Sequence, residues 1–149
     1  MFGSGIMLAV SEVVREDSEL VATWRGVSQC HARVNGALEK ALHKEHGLGL
    51  SEFEVLEHLA TTPDGADSRL QELADAVCLS QSALSRLIGR LEADGLVSRA
   101  MCPDDRRGIF AHLTDDGRAR WEAARPTHRA ILAETLPALG LGPAVAPGT

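Results

Sequence analysis

The stretch from Ser80 to Leu91 combines hydroxyl, amide and guanidinium side chains and contains no carboxylate. Such groups reach base edges in the major groove or bind phosphates, and a carboxylate among them would repel a phosphate. These residue types indicate a surface for double-stranded DNA. The candidate contacts are Ser80, Gln81, Ser82, Ser85, Arg86 and Arg90.

The same stretch is predicted to form an amphipathic helix. Four aliphatic residues follow the i, i+3, i+4, i+7 spacing of a buried helical face, so the polar side chains point the other way. A recognition helix enters the groove by its N-terminal end, which places residues 80–82 deepest. An ordinary solvated helix is the alternative. The aliphatic residues are Leu84, Leu87, Ile88 and Leu91.

A second short helix is predicted before the helix at 80–91. The apolar residues of the two helices have the spacing of a helix-turn-helix. Small Ala74 admits a close crossing of the two helices. Cys78 occupies the turn position where glycine commonly supplies a positive φ, so this turn is expected to hold mild strain or to be built differently. The apolar positions of the motif are Leu70, Leu73, Val77, Leu79, Leu84 and Leu87.

A hairpin is predicted after Gly95, where the apolar period changes from 3.6 to about 2. Residues 96–101 and 109–113 are predicted to form its strands. The loop between them carries Asp105, Arg106 and Arg107, and an arginine at a narrow tip can enter the minor groove. A tip that is charged only for solubility is the alternative reading.

Two longer helices flank this unit. The first, predicted over 18–46, repeats apolar residues at three- and four-residue steps, and the last, over 114–136, begins with Thr114 as its cap and is expected to kink at Pro126. Capping-box spacings predict helix starts at Ser51 and Ser68. The stripe of the first helix is Leu20, Trp24, Val27, His31, Val34, Leu38 and Leu42.

Composition places the chain among ordinary globular proteins. It has 149 residues, 44% hydrophobic and 24% charged, which suits one domain with a core. We predict a flexible arm at 1–17 and a flexible tail at 137–149. The formal net charge is -6, and all of the excess acid lies in residues 1–67.

Location and redox state follow from two further features. No stretch is long and apolar enough to span a bilayer, so no membrane partner and a cytoplasmic location are expected. The three cysteines are odd in number and lack C-x-x-C spacing, which predicts reduced thiols.

The run LSQSALSRLIGRLEADGLVSRAMCPDDRRGIFAHLTDDGRARWEAARPTH resembles the winged helix-turn-helix of MarR-type bacterial transcriptional regulators. The resemblance implies a dimer that pairs its first and last helices on a pseudo-palindromic operator. It implies that Asp105 and Arg107 act as wing aspartate and minor-groove arginine, and that Ser82, Ser85 and Arg86 contact the major groove. Pro137 and the glycines and prolines after it prevent the further C-terminal helix that family members usually have.

These observations predict a mainly α fold with a small β-hairpin. The winged helix-turn-helix domain covers 51–113, between N- and C-terminal dimerisation helices. The predicted function is a sequence-specific, ligand-responsive repressor that binds double-stranded DNA as a homodimer. A winged-helix module that contacts proteins instead of DNA is the alternative, because the chain is acidic overall.

An effector site is implied only by the resemblance. By the resemblance, a small aromatic effector would bind between the dimerisation helices and the DNA-binding domain, and Trp24, Val27 and His31 are the candidate liners. A satisfied core or interface histidine is the commoner role of a residue like His31. A redox role for Cys30 is disfavoured, since the chain has no tyrosine to activate the thiol.

Catalytic, metal and cofactor sites are not predicted. The residues Glu39, His43 and His46 lie one turn apart, but a solvated helix end explains them better than a metal site. No common nucleotide-binding, hydrolase or metalloprotease motif occurs, so we do not expect an enzyme.

Overall fold

The computed structural model describes residues 3–62, 67–101 and 109–141. It confirms a mainly helical fold with a small antiparallel sheet. In these three stretches no helix is both long enough and apolar enough to cross a bilayer. The elements are α1 (Gly3–His46), α2 (Leu50–Thr61), β1 (Asp67–Arg69), α3 (Leu70–Ala76), α4 (Gln81–Ala93), β2 (Val97–Met101), β3 (Ile109–Leu113) and α5 (Asp115–Ala138).

Helix α1 is 44 residues long and begins at Gly3, so residues 3–17, which were predicted to belong to a flexible arm, are helical. Residues 6–25 contain neither proline nor glycine, so nothing in their sequence interrupts the helix. Its apolar stripe changes environment along the helix. Leu38 and Leu42 are buried in the core, whereas Leu20 and Trp24 are 70% and 69% exposed.

One hydrophobic core joins the long helices to the helix-turn-helix. Helix α2 lies at its centre and buries Phe53, Leu56 and Leu59 completely. The C-terminal part of α1, both short helices, the sheet and α5 all contribute side chains to this cluster. The helix-turn-helix is therefore held by the same core as the two long helices.

The sheet has three strands in the order β1-β3-β2, where the sequence predicted two. Ser68, expected to cap the third helix, is instead a buried residue of β1 and pairs with Ala111. Arg69 occupies the N-cap of α3, without a side-chain hydrogen bond. The capping spacing at Ser68 was misleading because pairing with a distant strand outweighs a local cap.

The start of α2 also differs from the sequence prediction. The helix begins at Leu50, so Ser51 lies within its first turn. The Leu50 amide donates to the Glu39 carboxylate at 2.6 Å, and the Gly49 amide donates to Glu52 at 3.1 Å. Carboxylates from two helices thus accept from amides at the start of α2 that have no partner within the helix.

Helix α5 is anchored at its N-terminus, where the Thr114 hydroxyl accepts a hydrogen bond from the Gly117 amide at 3.0 Å. This confirms the predicted cap. The helix continues through Pro126, and further along His128 is buried and stacks on Phe53 with ring centroids 4.4 Å apart. Burial lowers the pKa of His128, and the neighbouring charge of Arg129 lowers it further.

Candidate nucleic-acid interface

Helix α4 is fixed by its apolar face, which buries Leu84, Leu87, Ile88 and Leu91. The side chains of the opposite face are exposed to solvent, although Arg99 and Glu52 approach its edge. No acidic residue occurs between Ser80 and Leu91, so α4 itself places no carboxylate where it would repel a phosphate. Its exposed side chains are Gln81, Ser82, Ser85, Arg86 and Arg90.

The N-terminus of α4 is capped by Ser80, whose hydroxyl accepts from the Ala83 amide at 3.2 Å. The Ser80 and Ser82 hydroxyls also lie 3.3 Å apart. The Ser80 oxygen therefore stabilises the helix start. Gln81 and Ser82 follow it in the first turn with exposed side chains, at the end by which recognition helices enter a groove.

The turn between α3 and α4 contains Cys78 at φ 55°, in the left-handed region. The Leu79 amide donates to the Ala74 carbonyl at 2.9 Å, which closes the turn around this residue. The strain predicted from the sequence at Cys78 is present in the backbone, because a side chain with a Cβ disfavours this conformation.

Replacing Cys78 by glycine should stabilise the protein by about 0.5–1 kcal/mol, since glycine adopts a positive φ without the steric cost. Urea unfolding of the two proteins measures the difference. Cys78→Ala is the matched control, because it removes the thiol and keeps the strain. Equal stability of the glycine and alanine variants would show that the backbone conformation carries no cost.

Arg99 on β2 connects the hairpin to α4, a role that the sequence did not reveal. Its guanidinium donates to the Ser85 carbonyl at 2.7 Å, and its amide donates to the Glu92 carboxylate at 3.0 Å. The contact joins residues 14 positions apart on different elements. Local periodicity carries no signal for it, and it sets the position of the hairpin relative to the exposed face of α4.

The two arginines of the α4 face differ in their surroundings. The Arg90 Nε lies 3.6 Å from the Glu52 Oε1 on α2, so part of its charge is compensated within the protein. Arg86 is exposed and has no ion pair among the described residues. Arg86 is thus the stronger candidate for contact with a base or a phosphate.

A groove of 350 Å³ lies beside the N-terminal half of α4 and extends the polar surface. It is lined by Arg69 and Gln71 at the start of α3, by Gln81 and Ser85 of α4, and by Ile109 of β3. The Arg69 guanidinium lies 5.5 Å from the centre of the Phe110 ring. Sequence reasoning missed Arg69 and Gln71, although the first helix of such a motif commonly crosses the DNA backbone.

The predicted wing residues Asp105, Arg106 and Arg107 lie outside the described residues. The strands that flank them are paired up to Met101 and Ile109, which face each other. This pairing brings the two ends of the intervening segment together, as a hairpin requires.

A crevice of 540 Å³ lies between α1, α2 and the turn before α4. His31 lines it and lies 3.2 Å from the Asn35 amide nitrogen. Glu54 also lines it, and burial raises the pKa of Glu54, with a further increase from the charge of Glu57. Trp24 does not line the crevice, and Val27 lines a separate groove together with His31.

Two of the three residues considered as metal ligands have other partners. The Glu39 carboxylate accepts from the Leu50 amide, and the His46 Nε2 lies 2.8 Å from the Thr127 hydroxyl. Within the described stretches, no group of three or more histidine, cysteine or acidic side chains could hold a metal ion. Cys30 and Cys78 are free thiols.

Comparisons with known proteins agree with this geometry. A model of the MarR family matches residues 46–108. The HTH-type transcriptional regulator MhqR of Bacillus subtilis is 32% identical over 113 residues, which are 76% of this chain and 75% of MhqR.

Two solved structures from Streptomyces coelicolor are also similar. AbsC, a MarR family transcriptional regulator, superimposes with a TM-score of 0.73 at 34% identity, over 82% of this chain and 80% of AbsC. Sco3205, a MarR family regulator solved in complex with DNA, gives a TM-score of 0.74 at 30% identity, over 80% of this chain and 74% of Sco3205.

Proposed function

This chain belongs to the MarR family of transcriptional regulators, and from that premise we propose that it binds an operator as a homodimer through α4. The exposed, carboxylate-free face of α4, backed by buried aliphatic side chains, is the observation that carries the proposal. On this hypothesis Gln81, Ser82, Ser85 and Arg86 lie in the major groove. The DNA complex of the similar Sco3205 supports DNA as the ligand.

The length of DNA that one α4 helix can contact argues for a two-fold dimer. One α4 covers one half-site, and two half-sites about 34 Å apart match one turn of the duplex. A pair of identical subunits therefore reads a pseudo-palindromic operator. Arg99 supports this role by fixing β2 against α4. Arg107 lies outside the described residues, and its proposed contact with the minor groove rests on the sequence.

A small aromatic effector is proposed to enter the crevice beside His31. The crevice is bordered by α1 and by the turn that leads into α4, so a bound molecule there contacts both parts. Effector binding that favours one spacing of the two α4 helices would then alter operator affinity. Of the residues predicted from the sequence to line the effector site, this proposal retains His31 and leaves out Trp24 and Val27.

Operator binding is tested by gel shifts at rising salt concentration on promoter fragments selected from the native genome. Arg86, Arg106 and Arg107 of two subunits supply about six cationic contacts, so log K should fall against log [salt] with a slope of roughly -5. No shift on any fragment would favour the alternative, a winged-helix module that binds proteins.

A further inference from the structure

The start of α2 holds two carboxylates that come from different helices. The Gly49 amide donates to the Glu52 Oε2 at 3.1 Å, and the Leu50 amide donates to the Glu39 Oε2 at 2.6 Å. Both carboxylates lie beside Gly49, where a Cβ would be 3.5 Å from the Glu39 Oε1 and 3.8 Å from the Glu52 Cδ. Two negative charges are therefore held close to each other at one helix end.

Arg90 of α4 is the cation that meets these two carboxylates. Its Nε lies 3.6 Å from the Glu52 Oε1, and among the described residues no other lysine or arginine forms an ion pair with Glu39 or Glu52. The Glu52 side chain is 18% exposed and that of Arg90 is 64% exposed. The carboxylate is therefore the more firmly held partner, and the guanidinium is the one that could turn toward another anion.

The position of Arg90 on α4 decides which anion that could be. Arg90 lies nine residues after Gln81, which is about 13 Å along the helix. A recognition helix enters the groove by its N-terminal end, so a guanidinium near the C-terminal end faces phosphates at the groove edge and not base edges. A phosphate contact carries no sequence information, so Arg90 bears on affinity for DNA of any sequence.

We propose that Glu52 keeps Arg90 from binding a phosphate in the DNA complex and so limits the affinity of the protein for DNA of any sequence. A single surface ion pair is weak, and the second carboxylate is what retains the arginine. Transfer of Arg90 to a phosphate would leave Glu39 and Glu52 close together without a cation, which opposes the exchange.

This role of Glu52 rests on the operator binding proposed above and adds a determinant of specificity to it. A regulator finds its operator among a large excess of other sites, so low affinity for those sites favours correct binding. Glu52 acts through Arg90 and is a positioning residue, since it does not itself contact DNA.

Glu52→Gln tests the proposal, because glutamine keeps an oxygen that can accept from the Gly49 amide and removes only the charge. Binding is measured at rising salt on a selected promoter fragment and on a duplex of unrelated sequence. The released Arg90 of two subunits adds two phosphate contacts, so the slope of log K against log [salt] should steepen from roughly -5 to roughly -7. At about 0.1 M salt both affinities should rise about tenfold.

Two further variants attribute the change to Arg90. Arg90→Gln alone should leave the salt slope of the wild type unchanged, because Arg90 does not contact a phosphate there. Arg90→Gln combined with Glu52→Gln should return the steeper slope to the wild-type value. A slope that becomes shallower by about 2 in Arg90→Gln alone would overturn the proposal, since Arg90 would then already bind phosphates in the wild type.

Glu122→Gln is the matched control for net charge. Glu122 is an exposed residue of α5, and its replacement removes one carboxylate without releasing Arg90. The salt slope of this variant should equal that of the wild type. The same steepening in Glu122→Gln as in Glu52→Gln would overturn the proposal, because net charge alone would then account for it.

The wild-type protein separates failure of this inference from failure of the proposed function. No shift of the wild type on any promoter fragment would refute operator binding and this role of Glu52 together. A wild type that binds with the expected slope, and a Glu52→Gln variant with the same slope, would refute the role of Glu52 alone. Arg90→Gln decides the same question without altering the start of α2, should Glu52→Gln unfold at a lower urea concentration.

Discussion

Gly117→Ala should destabilise the protein by about 3 kcal/mol or more, as overpacking against an immobile neighbour does. A Cβ at this position would lie 2.0 Å from the Leu96 carbonyl oxygen and 2.7 Å from a methyl carbon of Leu113. The carbonyl is backbone and already accepts a hydrogen bond from the Thr114 amide at 3.2 Å, so it cannot move without breaking the junction. The free energy of unfolding in urea measures the effect.

Gly36→Ala is the matched control for this substitution. Gly36 lies within α1, and a Cβ there would meet no atom within 4 Å. Alanine favours the helix over glycine by about 0.5–1 kcal/mol, so this variant should be more stable than the wild type. A Gly117→Ala protein that unfolds at the wild-type urea concentration would show that α5 does not approach Leu96 this closely.

Features set by neighbouring residues were predictable from the sequence. The Thr114 cap needs a hydroxyl three residues before an amide, and the positive φ at Gly95 and Cys78 follows from their positions at a helix end and in a tight turn. The exposed face of α4 was likewise implied by the spacing of four aliphatic residues. The residues that determine each of these features lie within about one or two helical turns of one another along the chain.

Features set by distant pairing were not predictable in the same way. Strand β1 has three residues and exists because Ser68 pairs with Ala111, a partner that no local pattern specifies. The contact of Arg99 with the Ser85 carbonyl and the ion pair of Arg90 with Glu52 depend on how elements pack. These contacts decide which arginines are available to DNA, so the candidate site was only partly visible in the sequence.

Arg86→Ala should reduce affinity for the operator at least about 30-fold and change which sequence is preferred. A guanidinium that binds a base edge contributes about 1–3 kcal/mol, and a homodimer loses this contact in both half-sites. Arg86 is exposed on the outward face of α4 and has no ion pair within the described residues, so its side chain is available for this contact. Binding is measured on the selected operator and on unrelated DNA at one salt concentration.

Two variants separate base recognition from general charge in this experiment. Lys40→Ala removes the same charge from an exposed position on α1 and should leave operator affinity unchanged. Arg107→Ala should weaken binding to operator and unrelated DNA alike, because a minor-groove arginine responds mainly to backbone potential. If Arg86→Ala instead lowered both affinities equally, Arg86 would be a phosphate contact, and sequence reading would have to come from Gln81, Ser82 and Ser85.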